Sequence, residues 1–378
     1  MNKAVLWMWL CVNVNLKRAK QLRLLEKFKN IENIYNAGLS EYAELDFLTH
    51  EEMNLLLKKD LTEVEKEYYN LSNYGVYTLT IDEPDYPRVL KHIYDPPTLL
   101  YCKGRFVDFN SKLCLSIVGT RKATPYGKSA AYSLSKTLAS NGVVVVSGMA
   151  LGIDTKAHEG ALAAGEPTVA VIGCGPDVVY PKSNANLMKE IEKTGMIISE
   201  YPLHTAPAKF HFPERNRIIS GISQGTIVVE ADIKSGSLIT AKSAGEQGRE
   251  IFAVPGNINS LYSKGSNQLI KDGAKIALCA EDIICEFKNS YAERVLNSLN
   301  HEEPVFSERR ETYTPPPESN SPEDMIMEII KSGPANVDKI CEITRLDTGS
   351  VNSALLLMEL KGVIIKSVGG YYELNSMF

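Results

Sequence analysis

Glycine and basic residues recur where short apolar runs of this sequence end. The run LCLSIVG ends at Gly119 and leads to Arg121, VVVVSG ends at Ser147 and Gly148, and TVAVIG ends at Gly173. Glycine lets backbone N–H groups approach an anion closely, and the N-terminus of a following helix adds a positive dipole end. The turns therefore predict a surface that binds phosphate; the alternative for the first turn alone is a tight turn with a solvated arginine.

Further cations lie downstream of the same runs. Lys182 follows a proline after the third run, and the segment KFHFPERNRII places Lys209, Arg215 and Arg217 beside two phenylalanines. Lys242 lies on the first turns of a helix expected after the sequence SGS. Cations mixed with aromatic rings suit a nucleic-acid strand, because they neutralise its backbone and stack on its bases. Arg215 and Arg217 could equally be buried in ion pairs that hold a helix to the sheet.

Two other groups have the types and spacing of catalytic residues. Asp154 and His158 are four residues apart on an expected helix and could form an acid/base pair. An N-cap aspartate with a histidine bonded to it is at least as good an interpretation, because no nucleophile accompanies them. Cys174 lies between two glycines, but no partner base is evident, which favours a small packed thiol over a nucleophile. The sequence therefore predicts no catalytic residues.

The elements that must position these residues are six short apolar runs between residues 113 and 256: LCLSIVG, VVVVSG, TVAVIG, GMIIS, TIVVEA and EIFAVPG. Runs without alternation are typical of strands buried on both faces, and helical stretches between them indicate parallel neighbours. This pattern predicts a doubly wound α/β domain with a mostly parallel sheet. Ligands of such sheets lie at the carboxyl ends of the strands, where the glycines fall.

The sheet domain is expected over residues 76–288, and three further segments lie before or after its six runs. Residues 1–75 have short amphipathic runs at helical spacing and predict a small helical domain. Its apolar start, Ala4–Val12, is too short to span a bilayer and predicts a buried helix. The proline-rich stretch 82–104 predicts an extended connector. Residues 289–320 are polar, end in TPPPESNSP and predict a linker.

The last segment, residues 321–378, predicts three helices and a hairpin that turns at Gly369 and Gly370, which is typical of a winged helix. It carries 5 Lys and Arg against 8 Asp and Glu, and its third helix, expected over Thr348–Lys361, has one lysine against one glutamate. A winged helix that reads duplex DNA normally presents a basic recognition helix. We therefore expect this domain to contact protein, or its own chain.

Composition and charge narrow the class of protein. Hydrophobic residues are 44% and charged residues 23% of the 378, which is typical of folded domains. The net charge is −5, but residues 113–279 carry 17 Lys and Arg against 13 Asp and Glu, so any nucleic-acid site belongs there. The seven cysteines form no CxxC pair, and no secretion signal precedes them. We expect reduced thiols, a cytoplasmic location, and neither a metal nor a cofactor.

The motifs together resemble those of the DNA-processing protein A (DprA, or Smf) family. They are GTR with YG at 119–127, SGMALGID with AH at 147–158, GCGPDVVYP at 173–181, SEYP at 199–202, FPERNRIISG at 212–221, and SGSLITA with GR and VPG from 235 to 256. They cover the whole central domain in order, and YPRVL and DPPTLLYCKG upstream also match. The resemblance implies an extended Rossmann-like domain between a small helical, SAM-like domain and a C-terminal winged helix.

The resemblance also implies a function. Such a protein binds single-stranded DNA in a positive pocket, forms a homodimer through the Rossmann-like domain, protects incoming DNA and delivers it to the RecA recombinase in natural transformation. Arg121, Lys182 and Lys209 match basic positions used for DNA contact in the family, and Ser147, Gly148 and Gly173 would be the backbone cradle. The segment NQLIKDG at 267–273 resembles the family's self-association surface.

Two departures and two rival interpretations accompany the resemblance. The N-terminal stretch VNVNLKRAKQLRLLEKF lacks the glycine of the family's helical hairpin, which argues against DNA binding by that domain. The acidic winged helix is the second departure. The main rival is an enzyme of the nucleoside-monophosphate phosphoribohydrolase type, but the comparable region reads SGSLITAKSAGE, without the PGGxGTxxE motif of those enzymes. A transcription factor is disfavoured by the charge of the winged helix.

Overall fold

The computed structural model describes residues 2–287, 322–331, 333, 335–344, 346, 348–360, 363–366 and 371–374. The chain divides into two compact units, Met1–Glu302 and Glu303–Phe378. The predicted linker, 289–320, lies outside the described residues. The boundaries drawn at residues 75 and 288 stay predictions, because the helices before the sheet belong to the same compact unit as the sheet.

Six helices precede the sheet: α1 Lys3–Met8, α2 Arg18–Phe28, α3 Ile31–Asn36, α4 Leu39–Ala43, α5 His50–Leu57 and α6 Thr62–Leu71. A π-helical turn, Trp9–Asn13, continues α1. The side chains of Trp7 and Trp9 are almost completely buried, which confirms the predicted buried helix. No helix in the described ranges has the length and hydrophobicity needed to cross a membrane.

The sheet of the first unit has nine strands: β1 Val76–Thr80, β2 Leu99–Gly104, β3 Cys114–Val118, β4 Val144–Ser147, β5 Thr168–Ile172, β6 Met196–Ser199, β7 Gly225–Val228, β8 Glu250–Ala253 and β9 Lys275–Ile276. Their order is β1-β2-β6-β5-β4-β3-β7-β8-β9. Strands β3 to β9 pair in parallel, and β2 pairs antiparallel with both β1 and β6. All six predicted runs are strands, which confirms the mostly parallel sheet.

The predicted connector is wrong at its end. Residues 99–104 form β2, whose first four residues are buried. The apolar run LLYC is buried here by pairing with β1 and β6, and the prolines before it obscured that signal. The stretch before β2 contains a short helix, α7 Arg88–Lys91.

Seven helices cover the parallel strands: α8 Pro125–Ser140, α9 Ile153–Ala163, α10 Ala185–Thr194, α11 His211–Ile222, α12 Gly236–Glu246, α13 Lys264–Lys271 and α14 Ala280–Cys285. Alternate strand residues enter different cores. Val144 and Val146 pack with α11 and the N-terminal helices, whereas Val143 and Val145 pack with α8 and α9. Burial on both faces explains why the strands read as continuous apolar runs.

The strand order reverses beside β3, which has β4 on one side and β7 on the other. The loops after β3 and β7 therefore leave the sheet toward opposite sides and open a crevice at its carboxyl edge. Crevices of this kind are where doubly wound folds bind their ligands. Arg121 lies in the loop after β3 and is thus at this point of the sheet.

The second unit is a winged helix, as predicted. Its elements are α15 Pro322–Lys331, β10 Ala335–Asn336, α16 Val337–Thr344, α17 Thr348–Leu360, β11 Ile364–Lys366 and β12 Tyr371–Leu374. The strands form a sheet in the order β10-β12-β11. A separate core, which includes Ile326, Ile340 and Leu355, holds the three helices together. The hairpin turn predicted at Gly369 and Gly370 lies outside the described residues.

Candidate nucleic-acid interface

A groove of about 590 Å³ lies at the carboxyl edge of the sheet, beside the reversal of strand order. We call it the rim groove. Its walls come from the loop after β3, from the start of α9, from the start of α11 and from the residues that open α12. The lining includes the side chains of Arg121, Asp154, Tyr180, Lys209, Phe212, Arg215, Ser235 and Ser237.

Two of the three cations carried over from the family resemblance line the rim groove. Arg121 and Lys209 are exposed, and neither makes an ion pair among the described residues. The guanidinium carbon of Arg121 lies 5.3 Å from the centroid of the Phe212 ring. Lys182, the third, is exposed at the start of a 3₁₀ turn but does not line the groove. Tyr180, two residues before it, does line the groove.

The groove also has an aromatic wall. The rings of Tyr180 and Phe212 are 5.4 Å apart between centroids, tilted by 34°. Phe212 was expected from its place among cations, whereas Tyr180 was not. A signal existed in the sequence, because Tyr180 follows a glycine-rich strand end and directly precedes a proline. Tyr180 is exposed and Phe212 is half-buried, and cations beside accessible rings are the combination that binds single strands.

Two of the predicted phosphate-binding turns are filled by the chain's own carboxylates. Asp154 Oδ2 accepts from the N–H of Gly148 at 3.2 Å and of Ala150 at 3.3 Å. Glu230 accepts from the Thr124 N–H at 2.9 Å and from its hydroxyl at 2.6 Å, in the turn that starts α8. Buried N–H groups need acceptors, and these carboxylates supply them. The prediction that backbone N–H groups of these turns bind phosphate is therefore corrected, because carboxylates of the chain already accept from them.

The predicted cradle residues are used for packing. Ser147 is buried, and its hydroxyl donates to the Ile117 carbonyl at 2.6 Å. A Cβ on Gly119 would lie 2.5 Å from an Ile153 side-chain carbon, and one on Gly148 would lie 2.5 Å from Arg215 Nη1. These glycines let neighbouring elements approach the strand ends. Gly173 is less crowded, since its nearest neighbour would be the Phe212 ring at 3.2 Å.

Arg215 borders the rim groove, but its side chain is buried and bonded to the backbone. Its Nη1 donates to the Gly148 carbonyl at 2.8 Å and also to the Val171 carbonyl. Burial lowers the pKa of its guanidinium to about 10. The prediction that Arg215 contacts DNA is therefore corrected. Arg215 is buried, as the alternative interpretation expected, but its partners are backbone carbonyls and not an acidic side chain.

Arg217 belongs to an ion-pair cluster away from the rim groove. Its Nη2 lies 2.6 Å from Glu200 Oε2, and its Nε lies 3.4 Å from Asp95 Oδ2. Arg18 of α2 pairs with the same two carboxylates, at 2.9 Å from Asp95 and 3.3 Å from Glu200. The cluster ties the N-terminal helices to the sheet. DNA contact by Arg217 is accordingly corrected, because its charge is already paired and mostly buried.

The start of α12 is the predicted anion site that remains open to the groove. The Ser235 hydroxyl accepts from the Ser237 N–H at 3.4 Å, and no acidic residue lies in the first turn. A helix N-terminus that faces a cationic groove favours a phosphate. Lys242, on the second turn of α12, does not line the groove, and Glu246 lies 3.7 Å from its ammonium. The helix start therefore stays a candidate phosphate site, and DNA contact by Lys242, which is exposed outside the groove, stays a prediction.

Asp154 and His158 do not form a pair. His158 Nδ1 bonds to the Thr168 hydroxyl at 2.8 Å, and burial lowers the pKa of its imidazole to about 3. Asp154 does not cap α9 either, since it accepts from the preceding turn while Gly152 occupies the N-cap position. Burial raises the pKa of the Cys174 thiol to about 11, as expected of a packed thiol. Among the described residues, no cluster of three or more His, Cys, Asp or Glu could hold a metal ion.

Comparisons with known proteins agree with this architecture. The sequence model of the DNA recombination-mediator protein A family matches residues 77–288, and that of the DprA winged helix domain matches residues 310–370. Protein Smf of Synechocystis sp. is 32% identical over 374 residues, which cover 93% of this chain and 94% of that protein.

Two solved structures are also similar. The X-ray structure of DNA processing protein A from Streptococcus pneumoniae has a TM-score of 0.68 and 35% identity, over 76% of this chain and 99% of that one. A structure of DNA processing protein A from Helicobacter pylori, described for its single-stranded DNA binding mode, has a TM-score of 0.52 and 35% identity. It covers 58% of this chain and 98% of that one.

Proposed function

Because this chain belongs to the DNA recombination-mediator protein A family, we propose that it binds single-stranded DNA in the rim groove. The observation that carries the proposal is the convergence of Arg121 and Lys209 with the rings of Tyr180 and Phe212 on one groove. The Helicobacter pylori relative, described as binding single-stranded DNA, supports it.

The groove can hold a strand without reading its sequence. Arg121 and Lys209 neutralise backbone phosphates, and the start of α12 offers N–H groups to another. Tyr180 and Phe212 present rings on which bases of any identity can stack. A duplex hides its base faces, so this wall favours single strands.

We expect fluorescence titrations with a labelled thymine oligonucleotide to show binding that weakens steeply with salt. The logarithm of the affinity should fall by about 0.7 per phosphate contact for each tenfold rise in salt. A duplex of the same length should bind more weakly, because its bases cannot reach the rings. Flat salt dependence, or release of base from a nucleoside monophosphate, would contradict the proposal and favour the phosphoribohydrolase alternative.

We further propose that the protein has no catalytic turnover. Asp154, His158 and Cys174, the residues that could have carried chemistry, are each buried and engaged in structural hydrogen bonds. A mediator needs only to bind and release its strand. The nucleoside-monophosphate hydrolase remains the alternative that the titration above tests.

The wider role is proposed from family membership. The protein would act in the cytoplasm, protect incoming single strands and load RecA on them during natural transformation. The acidic winged helix would contact a protein in this process, because its third helix lacks the basic face that duplex DNA requires. Lys182, which is exposed two residues after Tyr180, stays a candidate DNA contact outside the groove.

A homodimer through the Rossmann-like domain is also proposed. Four exposed apolar side chains flank α13 in sequence: Ile258 and Leu261 before it, and Ile276 and Leu278 after it. Ile276 ends β9, an edge strand of the sheet, and side chains of this kind are typical of an interface. The predicted self-association segment, 267–273, lies between them.

The double change Ile276→Asp and Leu278→Asp is expected to convert a dimer into a monomer, because two charges would be buried without partners in the interface. Sedimentation velocity of both proteins would show the shift in mass. Leu39→Asp, at an exposed apolar side chain of α4, should leave the mass unchanged. A wild-type chain that sediments as a monomer at micromolar concentration would contradict the proposal.

A further inference from the structure

We propose that Asp154 couples strand binding in the rim groove to proton uptake, so that the groove holds single-stranded DNA more tightly as the pH falls. This inference rests on the proposed function and concerns the regulation of the same site. Its starting point is the turn after β4, where Asp154 occupies the N–H groups that a phosphate was expected to take.

The geometry puts one buried negative charge among the cations of the groove. Asp154 is 6% exposed and lines the rim groove together with Arg121 and Arg215. Its carboxylate accepts two backbone N–H groups, from Gly148 and Ala150. At neutral pH its charge therefore offsets part of the positive charge that Arg121 and the buried Arg215 give to the groove.

The other buried titratable groups near Asp154 each keep one charge state at neutral pH. Burial raises the pKa of Asp154 to about 6, against the lowering effect of Arg215 and Arg121. His158, one turn along α9, has its pKa lowered to about 3 by burial and stays neutral. Cys174, after β5, has its pKa raised to about 11 and also stays neutral.

The sign of the coupling follows from charge. Below pH 6 Asp154 is protonated, its negative charge disappears, and the groove becomes more positive by one unit. A bound phosphate near the carboxylate disfavours its ionised form and raises its pKa further, so binding at pH 6 to 7 takes up protons. If a strand raises this pKa by about one unit, affinity should rise about tenfold between pH 8 and pH 5.

Isothermal titration calorimetry with a thymine oligonucleotide tests the coupling, because thymine takes up no proton in this range. Binding is measured at pH 5.5, 6.5 and 8.0, in buffers of different ionisation enthalpy, which reports the protons taken up. The wild-type carboxylate should take up a fraction of a proton at pH 6.5, and affinity should rise about tenfold from pH 8.0 to 5.5.

Asp154→Asn is the discriminating variant. The amide would keep a side-chain oxygen for the two N–H groups but could not ionise, so we expect no proton uptake and a flat pH profile, with tight binding at pH 8.0. Glu63→Gln, which removes an exposed acid of α6, should keep the wild-type profile. Circular dichroism confirms that each variant is folded.

Three outcomes separate the ideas. A pH profile and uptake that Asp154→Asn leaves unchanged would overturn the coupling. If Asp154→Asn does not fold, the proton uptake of the parent protein decides, and its absence at pH 6.5 overturns the coupling. A protein that binds no single strand at any pH would instead overturn the proposed function itself.

Discussion

Replacing Arg121 with alanine is expected to weaken single-strand binding by about 10- to 100-fold. Arg121 is exposed in the rim groove, makes no ion pair among the described residues, and lies over the Phe212 ring. A hydrogen bond to a charged group contributes about 1.5–3 kcal/mol, which corresponds to that range of affinity. The measurement is the titration with labelled oligonucleotide, repeated at several salt concentrations.

The salt series distinguishes a lost phosphate contact from a general defect. Losing one contact should reduce the slope of log affinity against log salt by about 0.7. Arg23→Ala is the matched control, because Arg23 is an exposed arginine of α2 that also lies over a ring, that of Phe47. Equal effects of the two changes, or an unchanged slope in Arg121→Ala, would remove Arg121 from the site.

Replacing Arg215 with methionine is expected to lower the free energy of unfolding by about 3–5 kcal/mol, the usual cost of breaking a buried charged network. The change removes the Arg215 donor from the carbonyls of Gly148 and Val171, and it removes the cation that most lowers the pKa of the buried Asp154. Urea unfolding followed by circular dichroism gives the value.

The pH dependence of this loss has a predicted sign. Asp154 has a pKa of about 6 in the folded protein, above its ordinary value, so folding disfavours its ionised form. Without Arg215 the pKa of folded Asp154 rises further, so that penalty grows at pH 8 and is relieved as the pH falls through the raised pKa toward the unfolded value. The loss should therefore be smaller at pH 5 than at pH 8. Arg121→Ala should unfold like the parent protein, and an Arg215→Met protein of unchanged stability would refute the buried role.

The sequence predicts the sheet well because its strands are buried on both faces. Continuous apolar runs such as VVVVS follow directly from that burial, and the parallel pairing follows from the helices between the runs. The sequence did not predict β2, because it pairs antiparallel with strands on both sides and follows a proline-rich stretch. The winged helix was predicted from helical spacing and a glycine pair in the expected hairpin.

The site is less predictable, since its charges are placed by contacts distant in sequence. Glu230 fills a turn 106 residues away, and Arg217 meets Asp95 across more than a hundred residues. No spacing rule reveals which cation finds such a partner, so the sequence left both the DNA contact and the buried ion pair open for Arg215 and Arg217. Asp154 was closer to prediction, because it lies six residues after Gly148, the turn that it fills.

The ion-pair cluster that ties α2 to the sheet has a consequence for synthesis of the chain. Arg18 and Glu200 are 182 residues apart. At about 5–20 residues per second, a ribosome exposes Arg18 roughly 10 to 40 s before its partner emerges. During that interval the first helices can pack only on one another and on the strands already made. The N-terminal helices can therefore dock fully on the sheet only after most of the parallel strands have been translated.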